Sequence, residues 1–487
     1  MTARAIMFMG TGSDVGKSLI VAGLCRLLAN RGLKVAPFKP QNMSNNAAAV
    51  TGGEIGRAQA LQARAAKITP TIHMNPVLLK PESERGAQVI VQGQRAATMT
   101  ARDFFKNRQQ FMPAILDSFH KLAADYDIIL VEGAGSPAET NLRQGDLANM
   151  GFAEAADIPV VLIGDIHRGG VIASLVGTHA VLNTPDNTRI KAFLINKFYG
   201  DSNLFSEGLI DIQTRTNWLS LGVIPHFAKA NRLPAEDAVS LEQGLSSQSG
   251  PLKICIFRLP RIANFDDLDP LRLEPGVTLQ FIQDEEALPG DCTLAIIPGS
   301  KSTMADLAAL RANGWDIDIA AHVRRGGKVL GLCGGYQMLG AMIHDPLGLE
   351  GPASSVEGLK LLNVETTLTA DKTVTPTTAT HAASGETISA YEIHLGKTTG
   401  PDCARLFAQT ADGPGGASSP DMLVTGTYLH GCFAADGFRH AFLKSLGVNV
   451  SNFAFDQTIE QTLDELAAHL ETYLDLDKIL NLAGAVS

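Results

Sequence analysis

The sequence predicts two α/β domains in one chain, the first of which is a phosphate-loop domain with a parallel sheet. Two observations predict this. Short apolar runs alternate with helical periodicity over residues 1–240, and the same alternation restarts over residues 252–440. The segment 241–251 between them is rich in Gly and Ser without periodicity, which is typical of a linker. Residues 441–487 add a C-terminal helical tail.

The strands of the first domain are predicted from near-continuous apolar runs, which are typical of strands buried on both faces of a parallel sheet. These runs are Ala5–Met9, Lys34–Phe38, Ile128–Val131, Val160–Ile163 and Ile190–Ile195. Apolar spacing predicts a helix over Ser18–Asn30, and Gly32 is suited to its C-terminal cap.

The second domain is predicted from a further set of apolar runs. Strands are expected at Leu252–Phe257, Leu294–Ile297 and Lys328–Leu332. Apolar residues at helical spacing over 456–475 predict a helix in the tail. We therefore expect the second domain to be α/β as well.

Composition and charge limit the class of protein. Hydrophobic residues make up 45% of the 487 residues, which is typical of a packed globular protein, and the net charge of −10 argues against a nucleic-acid-binding surface. The six cysteines are scattered without a CxxC pair, so neither a disulfide framework nor a zinc site is expected. The N-terminus lacks a signal-peptide pattern, and no apolar run is as long as a membrane span. We expect a cytoplasmic protein that binds small molecules and neither membranes nor nucleic acid.

A glycine-rich loop follows the first strand and opens the first helix. It consists of Gly10, Thr11, Gly12, Ser13, Asp14, Val15, Gly16, Lys17 and Ser18. Backbone N–H groups and a helix N-terminus in this setting cradle phosphate oxygens, while Lys17 reaches the β- and γ-phosphates of ATP and the Ser18 hydroxyl binds Mg²⁺. Thr11 stands where the usual motif has its first glycine. The alternative is a glycine-rich turn with an incidental lysine.

Two polar residues follow other predicted strands of this domain. Glu132 ends the strand after Asp127, at the edge where ligands bind in open α/β sheets, so it is a candidate Mg²⁺ ligand. The alternative is a carboxylate that caps a neighbouring helix. Asn196 ends a later strand, and its amide is a candidate contact to adenine, although Asn is also common in turns.

Three segments of this half resemble the dethiobiotin-synthetase-like ATPases. They are the loop GTGSDVGKS, the strand end VEGAG and the lysine of PFKP at 37–40. Relatives in that group activate a substrate carboxylate by phosphorylation, after which nitrogen attacks it. The resemblance implies that Lys39 lies near the transferred phosphate; a solvated strand-end charge is the alternative.

The second half contains a cysteine between a strand and a helix. Cys333 is flanked by Gly331, Gly334 and Gly335, which permit the sharp turn of a nucleophile elbow. The helix N-terminus favours the thiolate, the Gly334 N–H is a candidate oxyanion donor, and Gly299 is a candidate for the second donor. A buried, inert thiol is the alternative.

A thiolate nucleophile needs a base, and His430 after a short strand is the candidate, with His394 as a rival. Residues 252–440 resemble the class I glutamine amidotransferase domain. Such domains commonly carry a carboxylate two residues after the catalytic histidine, where this chain has Cys432. The residue that orients the imidazole is therefore open, with Asp436 and Glu392 as candidates.

The combination of the two halves resembles the corrinoid-amidating branch of these synthetases, and within it the enzymes that amidate four carboxylates. The matching stretches are Lys39–Asn46, Glu132–Glu139, Gly145–Met150 and Pro298–Thr303. The resemblance implies ATP- and glutamine-dependent amidation of the b, d, e and g carboxylates of adenosylcobyrinic acid a,c-diamide. Lys39, Gln41, Asn42 and Asp146 become candidates for the substrate side of the site, with polar loops as the alternative.

Two other functions stay open at this point. One is amidation of carboxylates a and c of cobyrinic acid, and the other is a regulatory ATPase fused to an inactive amidotransferase-like module. Cys333 argues against the second, because a binding module has no need of a nucleophile. Ammonia released at one site must reach the other unprotonated, so an internal passage or a closed interface between the domains is expected.

Overall fold

The structure is a computed structural model that describes residues 3–81, 86–234, 250–448 and 451–486. Residues 241–249 of the predicted linker lie outside the described residues. The α/β class is confirmed for both halves of the chain.

The N-terminal domain is built on one parallel sheet whose central strand leads into the glycine-rich loop. Its strands lie in the order Leu219–Pro225, Ile190–Phe198, Val160–Asp165, Arg4–Gly10, Ile128–Glu132 and Val35–Phe38. All neighbouring pairs are parallel, so the carboxyl ends meet at one edge. The five predicted strands are present, whereas the outer strand Leu219–Pro225 was not predicted.

Helices cover both faces of this sheet. They are Lys17–Asn30, Arg57–Ala65, Ala101–Asn107, Met112–Asp125, Met150–Ala155, Val171–Val181, Thr184–Arg189 and Ser206–Thr216. Two small sheets interrupt the alternation after the second strand of the chain. One contains Gln41–Met43, Val77–Pro81, Gly86–Val91 and Gln94–Thr100, and the other is the hairpin Ala47–Val50 with Gly53–Gly56.

The C-terminal domain has its own central sheet. Its strands lie in the order Val277–Ile282, Leu252–Phe257, Leu294–Ile297, Lys328–Leu332, Val424–Thr427 and Ala417–Ser418. The first five are parallel and the last is antiparallel. Its helices are Asp269–Leu273, Thr303–Ala312, Trp315–Arg324, Gly334–Leu339 and Asp436–Ser445. The three predicted strands of this domain are present.

A second sheet of this domain faces the N-terminal domain. It contains Met342–Asp345, Ser354–Glu357, Glu365–His381, Thr387–Thr399, Ala408–Thr410 and Gly413–Pro414. The two longest strands form a hairpin that packs against the hairpin Ala47–Val50 and Gly53–Gly56. An apolar cluster of Ala47, Leu78, Ile90 and Ile393 joins the domains there.

The tail returns to the N-terminal domain. The predicted helix is present as Phe455–Tyr473, and it packs along Lys17–Asn30, the helix that follows the glycine-rich loop. The approach is close, because a Cβ at Gly23 would lie 2.9 Å from Leu466 Cγ. A short helix, Leu476–Leu482, follows, and the strand Gly484–Ala485 pairs with the start of the central strand. The chain end therefore belongs to the core of the first domain.

No helix within the described ranges is both long enough and apolar enough to cross a lipid bilayer.

Candidate active sites

The glycine-rich loop adopts a tight turn at the carboxyl end of the central strand. Gly16 has φ of 95° and Asp14 has φ of 58°, both in the left-handed region that a phosphate-cradling turn requires. The Lys17 ammonium lies over the loop, where it donates to the carbonyls of Gly12 (3.0 Å) and Gly135 (3.4 Å). Lys17 thus bridges two carboxyl-end loops of the sheet.

Glu132 lies at the centre of a buried polar cluster beside this loop. Its Oε1 accepts hydrogen bonds from Ser18 Oγ (2.7 Å) and Lys39 Nζ (2.8 Å), and its Oε2 accepts one from Gln62 Nε2 (2.6 Å). The carboxylate is fully buried, so these donors offset the cost of removing its charge from water. The structure brings together Ser18, Lys39 and Glu132, as predicted, and adds Gln62, which the sequence did not reveal.

Asn196 supports the loop from below. Its Nδ2 donates to the Val15 carbonyl (2.8 Å), and a Cβ at Gly16 would collide with the same amide. The neighbouring Lys197 pairs with Asp165 at 2.9 Å. One N–H of the Asn196 amide therefore supports the backbone of the loop.

The candidate substrate-side residues differ in how many hydrogen bonds they make to the rest of the protein. Asn42 is buried and donates to Gln59 Oε1 at 3.0 Å, and Gln41 beside it is half-buried in a short strand. The Asp146 carboxylate accepts backbone N–H groups at 2.9–3.2 Å around the start of the helix Met150–Ala155. Asp146 thus caps a helix, which accounts for it without a substrate.

Cys333 has the backbone of a nucleophile elbow. Its φ of 52° and ψ of −109° are strained for a residue with a side chain, and the helix Gly334–Leu339 begins directly after it. A Cβ at Gly335 would collide with the Ile297 carbonyl, so the turn needs glycine there. The Cys333 thiol donates to the Ile393 carbonyl at 3.4 Å and lines a pocket.

His430 joins Cys333 to a carboxylate. Its Nδ1 lies 2.6 Å from Asp267 Oδ2, and the imidazole interacts with the Cys333 side chain. The other Asp267 oxygen accepts the Gly431 N–H at 2.6 Å, and the Tyr391 ring stacks on the imidazole at 5.4 Å. Burial alone would lower the pKa of His430, but Asp267 and Cys333 outweigh it and raise this pKa well above its ordinary value. The three side chains form a Cys–His–Asp constellation.

Neither carboxylate that we considered for orienting the imidazole lies beside it. Glu392 pairs with His394 at 3.0 Å, and Asp436 accepts the Phe455 N–H at 3.0 Å. His394 stacks on the Tyr428 ring at 3.8 Å and lines the pocket, so His430 is the histidine that contacts Cys333. The orienting residue is Asp267 instead.

Asp267 precedes His430 by 163 residues, so no local pattern joins them. It lies in the segment 264–269, which is buried although it contains three aspartates. Charged residues between apolar neighbours are the one signal in the sequence that marks this segment, because buried carboxylates need partners.

The loop opposite Cys333 forms a two-residue ladder. Gly299–Ser300 pairs antiparallel with Ile262–Ala263, and the Lys301 N–H donates to the Arg261 carbonyl at 3.0 Å. Hydrogen-bonded and non-hydrogen-bonded pairs alternate in such a ladder. In this register the N–H of Gly299, the predicted second oxyanion donor, faces a carbonyl of the opposite strand.

Ser300 occupies the non-hydrogen-bonded position of this ladder, so its N–H points the other way. A Cβ at Gly334 would lie 3.0 Å from the Ser300 nitrogen. Gly334 and Ser300 are therefore the candidate oxyanion donors beside Cys333.

Two family models match the two halves. Residues 6–241 match the CobQ/CobB/MinD/ParA nucleotide binding domain, and residues 253–438 match the CobB/CobQ-like glutamine amidotransferase domain. Together with the fold, they define an enzyme: a glutamine-dependent amidotransferase whose ATP-using domain lies in the same chain.

Similar curated proteins show which family of glutamine-dependent amidotransferases the chain belongs to. The chain is 58% identical over 480 residues to a cobyric acid synthase of Cereibacter sphaeroides, a match that covers 98% of this chain and 99% of the relative. It is 59% identical over 486 residues to one of Bradyrhizobium sp., and 57% identical over 481 residues to one of Jannaschia sp., each match covering 99% of both chains. The chain belongs to the cobyric acid synthase family.

Proposed function

We propose that this enzyme uses ATP and glutamine to amidate the b, d, e and g carboxylates of adenosylcobyrinic acid a,c-diamide. The observation that carries the proposal is that one chain combines a phosphate loop with the Cys333–His430–Asp267 constellation, in a family of cobyric acid synthases. We also propose a cytoplasmic location, which suits a chain whose six cysteines are all free.

The glutaminase half-reaction starts at Cys333. The thiolate attacks the glutamine amide carbon, and the N–H groups of Gly334 and Ser300 donate to the oxyanion that forms. His430, kept protonated by Asp267, gives its proton to the departing ammonia. It then removes a proton from the water that releases glutamate and restores the thiolate.

The synthetase half-reaction takes place at the glycine-rich loop. A carboxylate is a poor electrophile, and transfer of the γ-phosphate of ATP makes it an acyl phosphate that ammonia attacks with loss of phosphate. The loop N–H groups and Lys17 bind the phosphates, and Lys39 lies beside the transferred group because it pairs with Glu132 at 2.8 Å.

Mg²⁺ fits the donor set next to the loop. The Ser18 hydroxyl and the Glu132 carboxylate are oxygen ligands 2.7 Å apart, and Mg²⁺ at phosphate sites commonly takes one or two protein oxygens with phosphates and waters. Ser18 and Glu132 would hold the ion, which supplies charge neutralisation on the phosphates, while Lys39 and Gln62 keep the carboxylate in place.

The test replaces Cys333 with Ser and compares two nitrogen sources. We expect glutamine-driven synthesis to fall by at least about 10³-fold, because the thiolate is lost, while ammonia-driven synthesis stays near the wild-type rate. Undiminished glutamine-driven synthesis in the variant would refute the proposal.

The mass of the product distinguishes the two candidate corrinoid substrates. Mass spectrometry of products formed from the a,c-diamide should show four successive nitrogen additions. A product series that starts from cobyrinic acid and stops after two additions would instead indicate an a,c-diamide synthase.

A further inference from the structure

A buried cluster of charged side chains joins the two domains next to the glutaminase pocket. We call it the interface lysine cluster; it contains Glu54 and Lys80 of the first domain and Lys301 and Lys372 of the second. Lys80 Nζ lies 2.6 Å from Glu54 Oε2, and Lys372 pairs with Glu54 Oε1. Lys301 interacts electrostatically with Lys80, Lys372 and Glu54. Glu54 and Lys80 are 1% and 0% exposed and Lys372 is 12% exposed, so the centre of the cluster is buried.

The charges of this cluster do not balance. Three lysine side chains lie around the one carboxylate of Glu54, and burying excess charge is costly. Burial and the neighbouring lysines lower the pKa of Lys301 well below its ordinary value and that of Lys372 to about 8. Burial alone would raise the pKa of Glu54, but the three lysines lower it well below its usual range. The cluster therefore favours a bound anion.

The two lysines of the second domain face the pocket of the nucleophile. Lys301 and Lys372 line the same pocket as Cys333, and Lys301 directly follows Ser300, a candidate oxyanion donor. Glu350 also lines this pocket, at the start of the helix Thr303–Ala312, where its Oε2 accepts the Met304 N–H at 2.9 Å. The pocket thus presents positive and negative groups along with the nucleophile.

We propose that Lys301 and Lys372 bind the α-carboxylate of glutamine and that Glu350 binds its α-ammonium group. This inference rests on the proposed role of Cys333 as the glutaminase nucleophile. Glutamine carries its amide at one end and a zwitterionic head at the other, and the pocket offers Cys333 for the first and charges of both signs for the second. Side chains that pair with both charges of the head would select a free amino acid over a peptide or a simple amide.

The arrangement makes the first domain part of the glutamine site. Glu54 pairs with Lys372, Lys80 influences Lys301 electrostatically, and Gln88 of the first domain lines the pocket. An amidotransferase domain separated from its partner would lose these contacts. Glutamine binding is therefore coupled to the closed arrangement of the two domains.

The experiment compares glutamine with L-glutaminol, in which an alcohol replaces the α-carboxylate, in the wild type and in Lys301→Met. Ammonia release is measured for both compounds. We expect the variant to lower kcat/KM for glutamine by about 10- to 100-fold, mainly through KM, since a hydrogen bond between charged groups is lost. The value for glutaminol should change by less than about threefold, because glutaminol makes no such bond.

Two further variants keep the test decisive. Lys301→Arg should retain the preference for glutamine, and Lys444→Met removes an exposed lysine of the same domain and should change nothing. If Lys301→Met loses ammonia-driven synthesis as well and is therefore misfolded, the same comparison is made with Lys372→Met, for which the same loss of preference is expected.

Equal losses for glutamine and glutaminol, or unchanged activity with glutamine, would overturn the proposal. Failure of the proposed function has a different signature, since Cys333→Ser would then keep its activity with glutamine.

Discussion

In the proposed mechanism the glutaminase chemistry depends on His430, because it lies beside both Cys333 and a buried carboxylate. Its Nδ1 lies 2.6 Å from Asp267, and the pKa of the imidazole is raised by Asp267 and Cys333 against the effect of burial. A protonated imidazole at this position can donate to the departing ammonia.

Replacing Asp267 with Asn tests this arrangement. Loss of the carboxylate charge lowers the pKa of His430, so its proton is lost at lower pH and the alkaline limb of the glutaminase pH profile moves to lower pH. We also expect kcat to fall on the order of 10²- to 10⁴-fold, since the imidazole loses its orientation. The pH dependence of ammonia release measures both effects. Asp436→Asn is the control, and an alkaline limb that stays in place in Asp267→Asn would contradict the assignment.

How far single residues could be predicted depended on whether their signal was local. Cys333 and Ser18 lie in short motifs whose glycines and flanking elements define a geometry, and both sites have the predicted neighbours. Asp267 and Gln62 have no such motif, because each becomes a partner only when distant segments pack together. Asn196, a candidate contact to adenine, also donates to the loop backbone at Val15, a contact that its position at a strand end did not indicate.

Among the elements, the helix Arg57–Ala65 links the two active sites. At one end, Arg57 pairs with Asp266 at 2.9 Å, and Asp266 is the neighbour of Asp267. At the other, Gln62 donates to Glu132 at 2.6 Å. Burial raises the pKa of Asp266 to about 6 even with Arg57 beside it. A displacement of this helix would therefore change the positions of Asp266 at one site and Glu132 at the other.

Arg57→Ala tests the helix as a positioning element. Removal of the guanidinium leaves Asp266 buried without its ion pair, which should displace the segment that orients His430. We expect glutamine-driven synthesis to fall by about 10- to 100-fold, while ammonia-driven synthesis changes by less than about threefold. The ratio of the two rates is the measurement. Arg64→Ala is the control, because Arg64 lies on the same helix but pairs with Asp456 and Glu460 of the tail, and it should leave this ratio unchanged. Equal ratios in the wild type and both variants would contradict the role of Arg57.

Regular elements were the part of the fold that the sequence predicted best. Apolar runs predicted most strands of the first central sheet and three strands of the second, because parallel strands are buried on two faces. The hairpin Glu365–His381 with Thr387–Thr399 was not predicted, because its threonine-rich strands lack a continuous apolar run and are stabilised by packing on the other domain.

At the scale of the whole molecule, the chain begins and ends in one domain. The tail helix Phe455–Tyr473 covers the helix that follows the phosphate loop, and the last strand pairs with the first. Leu466 and Leu470 are almost fully buried in this contact. The amidotransferase domain is thus inserted between two parts of the synthetase core, an arrangement that no linear pattern of the sequence reveals.

Leu466→Ala tests the tail as part of that core. The lost side chain leaves a cavity against the helix Lys17–Asn30, so we expect the free energy of unfolding to fall by about 2–5 kcal/mol. Urea denaturation measures the change, and Glu471→Ala, at an exposed ion pair, should stay within about 1 kcal/mol of the wild type. A stability unaffected by Leu466→Ala would show that the tail is dispensable for the core.

We propose that the nitrogen of each new amide passes directly from the amidotransferase domain to the synthetase domain. This transfer is tested by supplying unlabelled glutamine in a medium that contains ¹⁵N-ammonium and measuring the isotope in the corrinoid product by mass spectrometry. Glutamine nitrogen that passes directly between the domains gives a product without ¹⁵N in the wild type, whereas Cys333→Ser incorporates ¹⁵N at every new amide. A wild-type product labelled as heavily as that of the variant would contradict direct transfer.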